Sequence, residues 1–219
     1  MISTARSLCL AAGLVLLAGP EVSAENSAAS PGAASPESLI RATIVDAFAV
    51  LKDKALAGKE QRPRRIASLR RIADRTFDWA EMARSSLGVA WRSLDETQRR
   101  RFVDVFKDLL AAQYMDDIDR FQGTETVTVD GSTREGDDTV VRSTLVTAGR
   151  ERVPIDYRMR VQGAGAGAGV VGRWVVVDLS IEGVSLVNHF RKTFARALAN
   201  MTPNQLIDHL RKQLPAGEP

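Results

Sequence analysis

The sequence is poor in the residues that metal and thiol chemistry require. One cysteine and two histidines stand among 219 residues. Those counts exclude a disulfide framework, a zinc finger, an iron–sulfur site and a histidine cage for a metal. Neither sign of charge is in excess: 30 Lys and Arg oppose 27 Asp and Glu, too even a balance for a dedicated nucleic-acid binder. Long apolar runs are missing as well. The one stretch of note, Leu8 to Ala18 interrupted by Gly13, is shorter than the roughly 20 residues a membrane-spanning helix needs. What remains is 44% hydrophobic and 26% charged, the composition of a folded domain.

That short apolar run has a use of its own. Arg6 precedes it, Gly19-Pro20 follows it, and Val22-Ser23-Ala24 has the small-residue pattern of a signal-peptidase site. Residues 1–24 are therefore expected to be an export signal, with Glu25 as the mature N-terminus. Cys9 lies inside that segment, and no cysteine follows the cleavage site to carry a lipid anchor. Residues 25–37 are rich in Ala, Ser, Pro and Gly and read as a disordered lead-in. A single domain is expected over 38–214.

Helical spacing dominates the first half of that domain. Ser35-Pro36 offers a cap and a proline at the first helical position. Leu39, Ile40, Ile44, Ala47, Phe48 and Leu51 follow at helical intervals, and Gly58 is expected to end the segment. A second helix after Pro63 carries Ile66, Leu69, Ile72 and Ala73 on one face, and a third runs from about Asp78 to Leu87. Ser93 to Glu96 reads as a capping box opening a long helix with Phe102, Phe106, Leu109, Leu110, Tyr114, Ile118 and Phe121 on its apolar stripe, closed by Gly123. Thereafter the period shortens to two. Four strands are expected: from Val127, through Val141 to Thr147, from Val153 to Val161, and from Trp174 to Ile181. Asp156, Arg158 and Arg160 mark a wet face on the third. Helices return with Val187, Phe190, Phe194 and Leu198, and a last one is boxed by Thr202 and Gln205 around Pro203. Helices, then strands, then helices predict an α+β fold with an antiparallel sheet.

No catalytic constellation emerges. Gly167 to Gly172 formally matches a dinucleotide fingerprint, but the glycines lead into a strand, so a hairpin loop is the better reading. His189 and His209 lack partners that would make a metal site. Asp178 and Glu182 straddle a strand end and make a weak case for paired-carboxylate hydrolysis. Six arginines, Arg62, Arg64, Arg65, Arg70, Arg71 and Arg75, crowd the second helix. They read first as a solvated face with carboxylate neighbours, and second as a surface for anionic headgroups or an acidic protein.

Two blocks resemble a known family. Trp174-Val175-Val176-Val177-Asp178, then Ile181-Glu182-Gly183-Val184-Ser185-Leu186-Val187, then Arg191 and Phe194 form one. Phe77-Asp78-Trp79, Met82-Ala83, Leu87-Gly88, Trp91-Arg92, Leu94, Gln98-Arg99, Phe102, Phe106, Leu109-Leu110 and Tyr114 form the other. In this order, from about Ser38 to Leu214, the chain resembles the MlaC-type proteins, also called toluene-tolerance proteins, the periplasmic phospholipid-binding components of an ABC lipid-transport system.

The resemblance implies a bent, NTF2-like antiparallel sheet of four strands wrapped by helices around an apolar cavity. It also implies a periplasmic shuttle between outer and inner membranes that maintains outer-membrane lipid asymmetry. Bound phospholipid is then the expected ligand, without a metal or other cofactor. An outer-membrane lipoprotein complex and an inner-membrane ABC transporter complex are the expected partners. Alternation and helical stripe select the residues expected to hold acyl chains: Val141, Leu145, Ile155, Tyr157, Met159, Trp174 and Val176 from the sheet, with Leu110, Tyr114, Val187, Phe190 and Phe194 from helices. Two alternatives stay open, an accessory protein of hopanoid biosynthesis within the same family and a hydrolase on an NTF2-like scaffold.

Overall fold

The structure, a computed structural model, describes residues 35–163 and 172–214, without the side chains of 115–118. The expected export signal, the lead-in up to Ala34, the side chain of Ile118 and most of the Gly-Ala run lie outside the described residues. The described residues fold as four helices, a five-stranded sheet and two closing helices, which is α+β.

Helix α1 (Pro36–Lys52) starts where its cap dictates, with the Ser35 hydroxyl accepting from the Ser38 amide at 3.1 Å. It stops six residues before Gly58. Asp53 ends it by turning its carboxylate onto the Ala55 amide at 2.8 Å, an Asx turn that competes with helix. Helices α2 (Arg62–Thr76) and α3 (Trp79–Leu87) follow. Gly88, at φ +63°, takes the left-handed position that closes α3.

The long helix α4 (Glu96–Asp119) is capped two residues later than the sequence suggested. Asp95 accepts from the Gln98 amide at 2.9 Å, and the Gln98 side chain accepts from the Asp95 amide at 2.8 Å. Ser93 instead donates to the Ala90 carbonyl, because Gly88–Ser93 forms a 3-10 segment that consumes it. The helix ends at Asp119, before Phe121 and Gly123.

The strands β1 (Thr126–Glu135), β2 (Asp138–Val146), β3 (Arg152–Gln162), β4 (Arg173–Ile181) and β5 (Val184–Ser185) pair antiparallel in chain order. The count is therefore five, not four. The fifth has two residues, too short to show any alternation, and exists because Glu182 (φ +50°) and Gly183 (φ +76°) form a tight turn with both central residues left-handed. The Glu182 amide is held by the Pro154 carbonyl of β3 at 2.9 Å. Gln162 of β3 opposes Arg173 of β4, so the Gly-Ala run links two paired antiparallel strands.

A bulge at Val177 resolves a conflict in β4. Strict alternation would put Trp174, Val176 and Asp178 on one face and bury a carboxylate in the core. The register instead slips between Arg158/Asp178 and Met159/Val176, so Val176, Leu179 and Ile181 face inward together. One face of the sheet packs on α1, α3, α4, α5 (Leu186–Leu198) and α6 (Pro203–Gln213). The other face carries ion pairs, Arg158 on Glu135 at 3.0 Å and Arg160 on Asp138 at 2.7 Å, beside the buried side chains of Val140 and Val175. Val161, expected on the core side, is 37% exposed near the end of its strand.

Candidate functional site: an apolar groove between two helices

Helices α2 and α4 present matching faces to each other. On α2, Ile66, Leu69, Arg70, Ala73 and Asp74 recur at three- and four-residue steps, and on α4 so do Lys107, Leu110, Ala111 and Tyr114. Between them lies a cavity of about 90 Å³, open to solvent. Phe77, Trp79 and Met82 from the α2–α3 junction line it too, together with Leu179 of β4 and Leu186 of α5. Phe77 and Trp79 stack with ring centroids 5.1 Å apart. The Phe77 backbone bridges to Val176, and the Asp78 amide donates to the Val176 carbonyl at 2.9 Å. That bond covers the free edge of β4 and fixes the aromatic wall.

Leu186 is placed by the Glu-Gly-Val-Ser segment. The Ser185 hydroxyl caps α5 through the Asn188 amide at 3.0 Å. Asp178 accepts from the Ser185 hydroxyl at 2.5 Å and from the Val187 amide at 3.1 Å. Its carboxylate thus sits at the positive end of α5, where the helix dipole favours it. Every part of that arrangement is scaffold. Asp178 is committed to holding α5, and Glu182 is an exposed turn residue.

The mouth carries charge. Lys107 meets Asp74 at 2.6 Å, and Arg70 meets Asp108 at 2.9 Å. The Trp79 indole also donates to Asp74 at 2.9 Å, with the Lys107 ammonium 5.9 Å from its ring centroid. Further along, Arg62 and Arg65 both grip Asp119, at 2.8 and 2.6 Å. Arg75 pairs with Asp46. Much of the arginine cluster therefore has carboxylate neighbours, as the first reading of it expected. The pairs to Asp74, Asp108 and Asp119 tie α2 to α4 side chain to side chain.

A second, larger recess of about 320 Å³ is lined by Leu51, Leu56, Lys59, Arg62, Arg65, Asp119 and Phe121. Its arginines are committed: Arg65 donates to the Leu56 and Gly58 carbonyls as well as to Asp119. The smaller groove has the apolar lining a hydrophobic ligand needs.

Of the twelve residues selected from sequence, Leu110 and Tyr114 line this groove. Val141, Leu145, Ile155, Met159, Val176, Val187, Phe190 and Phe194 are buried in the adjoining core, and Tyr157 and Trp174 pack against it half-buried. Phe190 and Phe194 stack at 5.5 Å and meet Phe106 edge-on. Sequence reasoning missed Ile66, Leu69, Ala73, Phe77, Trp79, Met82, Leu179 and Leu186 as lining. The apolar face of α2 was legible, but not that α4 stands opposite it. His189 and His209 are exposed, and no group among the described residues is arranged to hold a metal ion. No helix among them is long and apolar enough to cross a membrane.

No curated protein sequence matches the chain. Among solved structures, a phospholipid-binding protein from Ralstonia solanacearum, determined in complex with a phospholipid, superposes with a TM-score of 0.70. It shares 23% identity, over 82% of this chain and 96% of that one. Residues 41–212 match the family described as MlaC protein, as the two sequence blocks suggested, and the chain belongs to that family.

Proposed function

We propose that the protein binds a phospholipid with its acyl chains between α2 and α4, and carries it through the periplasm between the outer and inner membranes. The observation that carries the reading is the apolar groove itself, open at a charged mouth. Family membership and a similar fold solved with a phospholipid support it. Export through residues 1–24 and exchange with an outer-membrane lipoprotein complex and an inner-membrane ABC transporter complete the proposal, with outer-membrane lipid asymmetry as the result. The protein acts by binding, and no residue has to break a bond.

The cavity is smaller than the roughly 150 Å³ that admits one benzene ring. An acyl chain enters only if α2 and α4 part. Burying about sixteen methylenes is worth roughly 12 kcal/mol at about 0.8 kcal/mol each. The ion pairs across the mouth are solvent-exposed, and such pairs hold with about 0–1 kcal/mol apiece. Lipid burial therefore outweighs the clasp by a wide margin, and the narrow groove is the resting state of a carrier that widens on loading.

The test is the ligand. Protein purified from a periplasmic extract without added lipid is extracted with organic solvent, and the extract is identified by mass spectrometry. Stoichiometric phospholipid is the expected result. Hopanoids in its place would move the protein to the hopanoid branch, and an empty protein that takes up no lipid from vesicles would overturn the reading.

A further inference from the structure

The charges at the mouth of the groove form a set. Arg70 and Asp74 stand one turn apart on α2, and Lys107 and Asp108 are successive on α4. They pair crosswise, Lys107 to Asp74 and Arg70 to Asp108, so the rim holds two cations, two anions and no net charge. All four side chains remain between 31% and 46% exposed. Exposed pairs are weak and exchange partners readily.

We propose that this rim is a headgroup site for zwitterionic phospholipids, in which Lys107 and Arg70 take the phosphate and Asp74 and Asp108 take the amine of the same headgroup. The proposal rests on the phospholipid reading of the groove and extends it to the class of headgroup. Leu69, Ala73 and Leu110 line the groove together with Arg70, Asp74 and Lys107, and Asp108 is joined to that lining through Arg70, so chains lying against the apolar residues bring the glycerophosphate to the rim. A guanidinium fork and an ammonium suit a phosphodiester. The anionic partners they release then face the headgroup amine. Trp79 supports that half of the site, because its indole N–H fixes Asp74. A headgroup that is only anionic would satisfy the two cations and leave both carboxylates opposed to a negative ligand.

The experiment uses the delipidated chain and vesicles of equal parts phosphatidylethanolamine and phosphatidylglycerol. Captured lipid is extracted and quantified by mass spectrometry. Wild type should take phosphatidylethanolamine in preference by about two- to fivefold, the ratio that one exposed charge pair supports. The double variant Asp74→Asn, Asp108→Asn, which keeps an acceptor for Trp79, should bring the ratio within the captured lipid to one or below. Asp108→Asn alone should move it part of the way. Equal capture by wild type, or preference for phosphatidylglycerol, would overturn the headgroup site and leave the groove reading standing. An unchanged ratio in the double variant would do the same. No capture of either lipid would instead remove the phospholipid reading on which the site rests.

Discussion

Filling the groove should stabilise the empty protein and disable the loaded one. Ala73 lies half-buried on the α2 face of the cavity, and Ala73→Leu adds three carbon groups there. By the benzene comparison these need about 75 Å³, and the space available is about 90 Å³. Burying three methylene equivalents gains up to about 2.4 kcal/mol. Immobilising the leucine returns about 0.5–1 kcal/mol of that, and the change in helix propensity is small. The delipidated variant should therefore be about 1–2 kcal/mol more stable in urea unfolding. Its phospholipid content after purification should fall several-fold, because the space that acyl chains enter is taken. Were the site an ordinary close-packed interface, overpacking would cost about 1–3 kcal/mol instead. A destabilised variant with undiminished lipid would refute the assignment of the cavity.

Other expectations follow from the same packing. Leu145 is fully buried in the core beside the groove. Leu145→Ala should cost about 2–5 kcal/mol, equally with and without lipid, as read by thermal unfolding of loaded and delipidated protein. Asp178→Ala removes the acceptor of Ser185 and Val187; urea unfolding should show a loss of at least about 1.5–3 kcal/mol, the range for one hydrogen bond to a charged group. Acid should loosen the α1–β1 contact. Burial raises the Glu37 carboxyl, but hydrogen bonds, that from Ser132 foremost, and the nearby Arg41 outweigh it and hold the group below 4.5. A carboxylate lowered in the folded state stabilises above its unfolded value, and that contribution is lost as pH falls through the lowered one. Urea midpoints of wild type should accordingly fall more below about pH 4.5 than those of Glu37→Gln.

The sequence made some of this legible and hid the rest, for physical reasons. Caps and periods that depend on neighbours a few residues away could be read: Ser35 and the Thr202–Gln205 box act where expected, and the third helix runs close to its expected bounds. The cap of α4 could not be chosen locally, because Ser93 and Asp95 both precede a residue three along that can reciprocate, Glu96 and Gln98. A 3-10 segment with no clear periodic signature decided between them. The fifth strand is made by a turn, not by alternation, and so left no pattern. Burial of Leu145, Phe190 and Phe194 was legible from alternation and stripe. Burial alone does not say whether the neighbour is a side chain or a cavity. The groove depends on α2 meeting α4, and ion pairs between residues 33 to 57 positions apart, Lys107 to Asp74 and Arg62 to Asp119, make that meeting.

The most direct test of lipid between α2 and α4 uses the protein's own fluorophores. Of its three tryptophans, Trp79 lines the groove, whereas Trp91 and Trp174 pack against the core outside that lining. Delipidated protein is loaded with a phospholipid brominated along its acyl chains, and fluorescence is measured for wild type, Trp79→Phe and Trp174→Phe. Wild type and Trp174→Phe should be strongly quenched, and Trp79→Phe should lose most of the quenching. Quenching that survives in Trp79→Phe and disappears in Trp174→Phe would contradict the account, and would place the acyl chains against the sheet instead of between the helices.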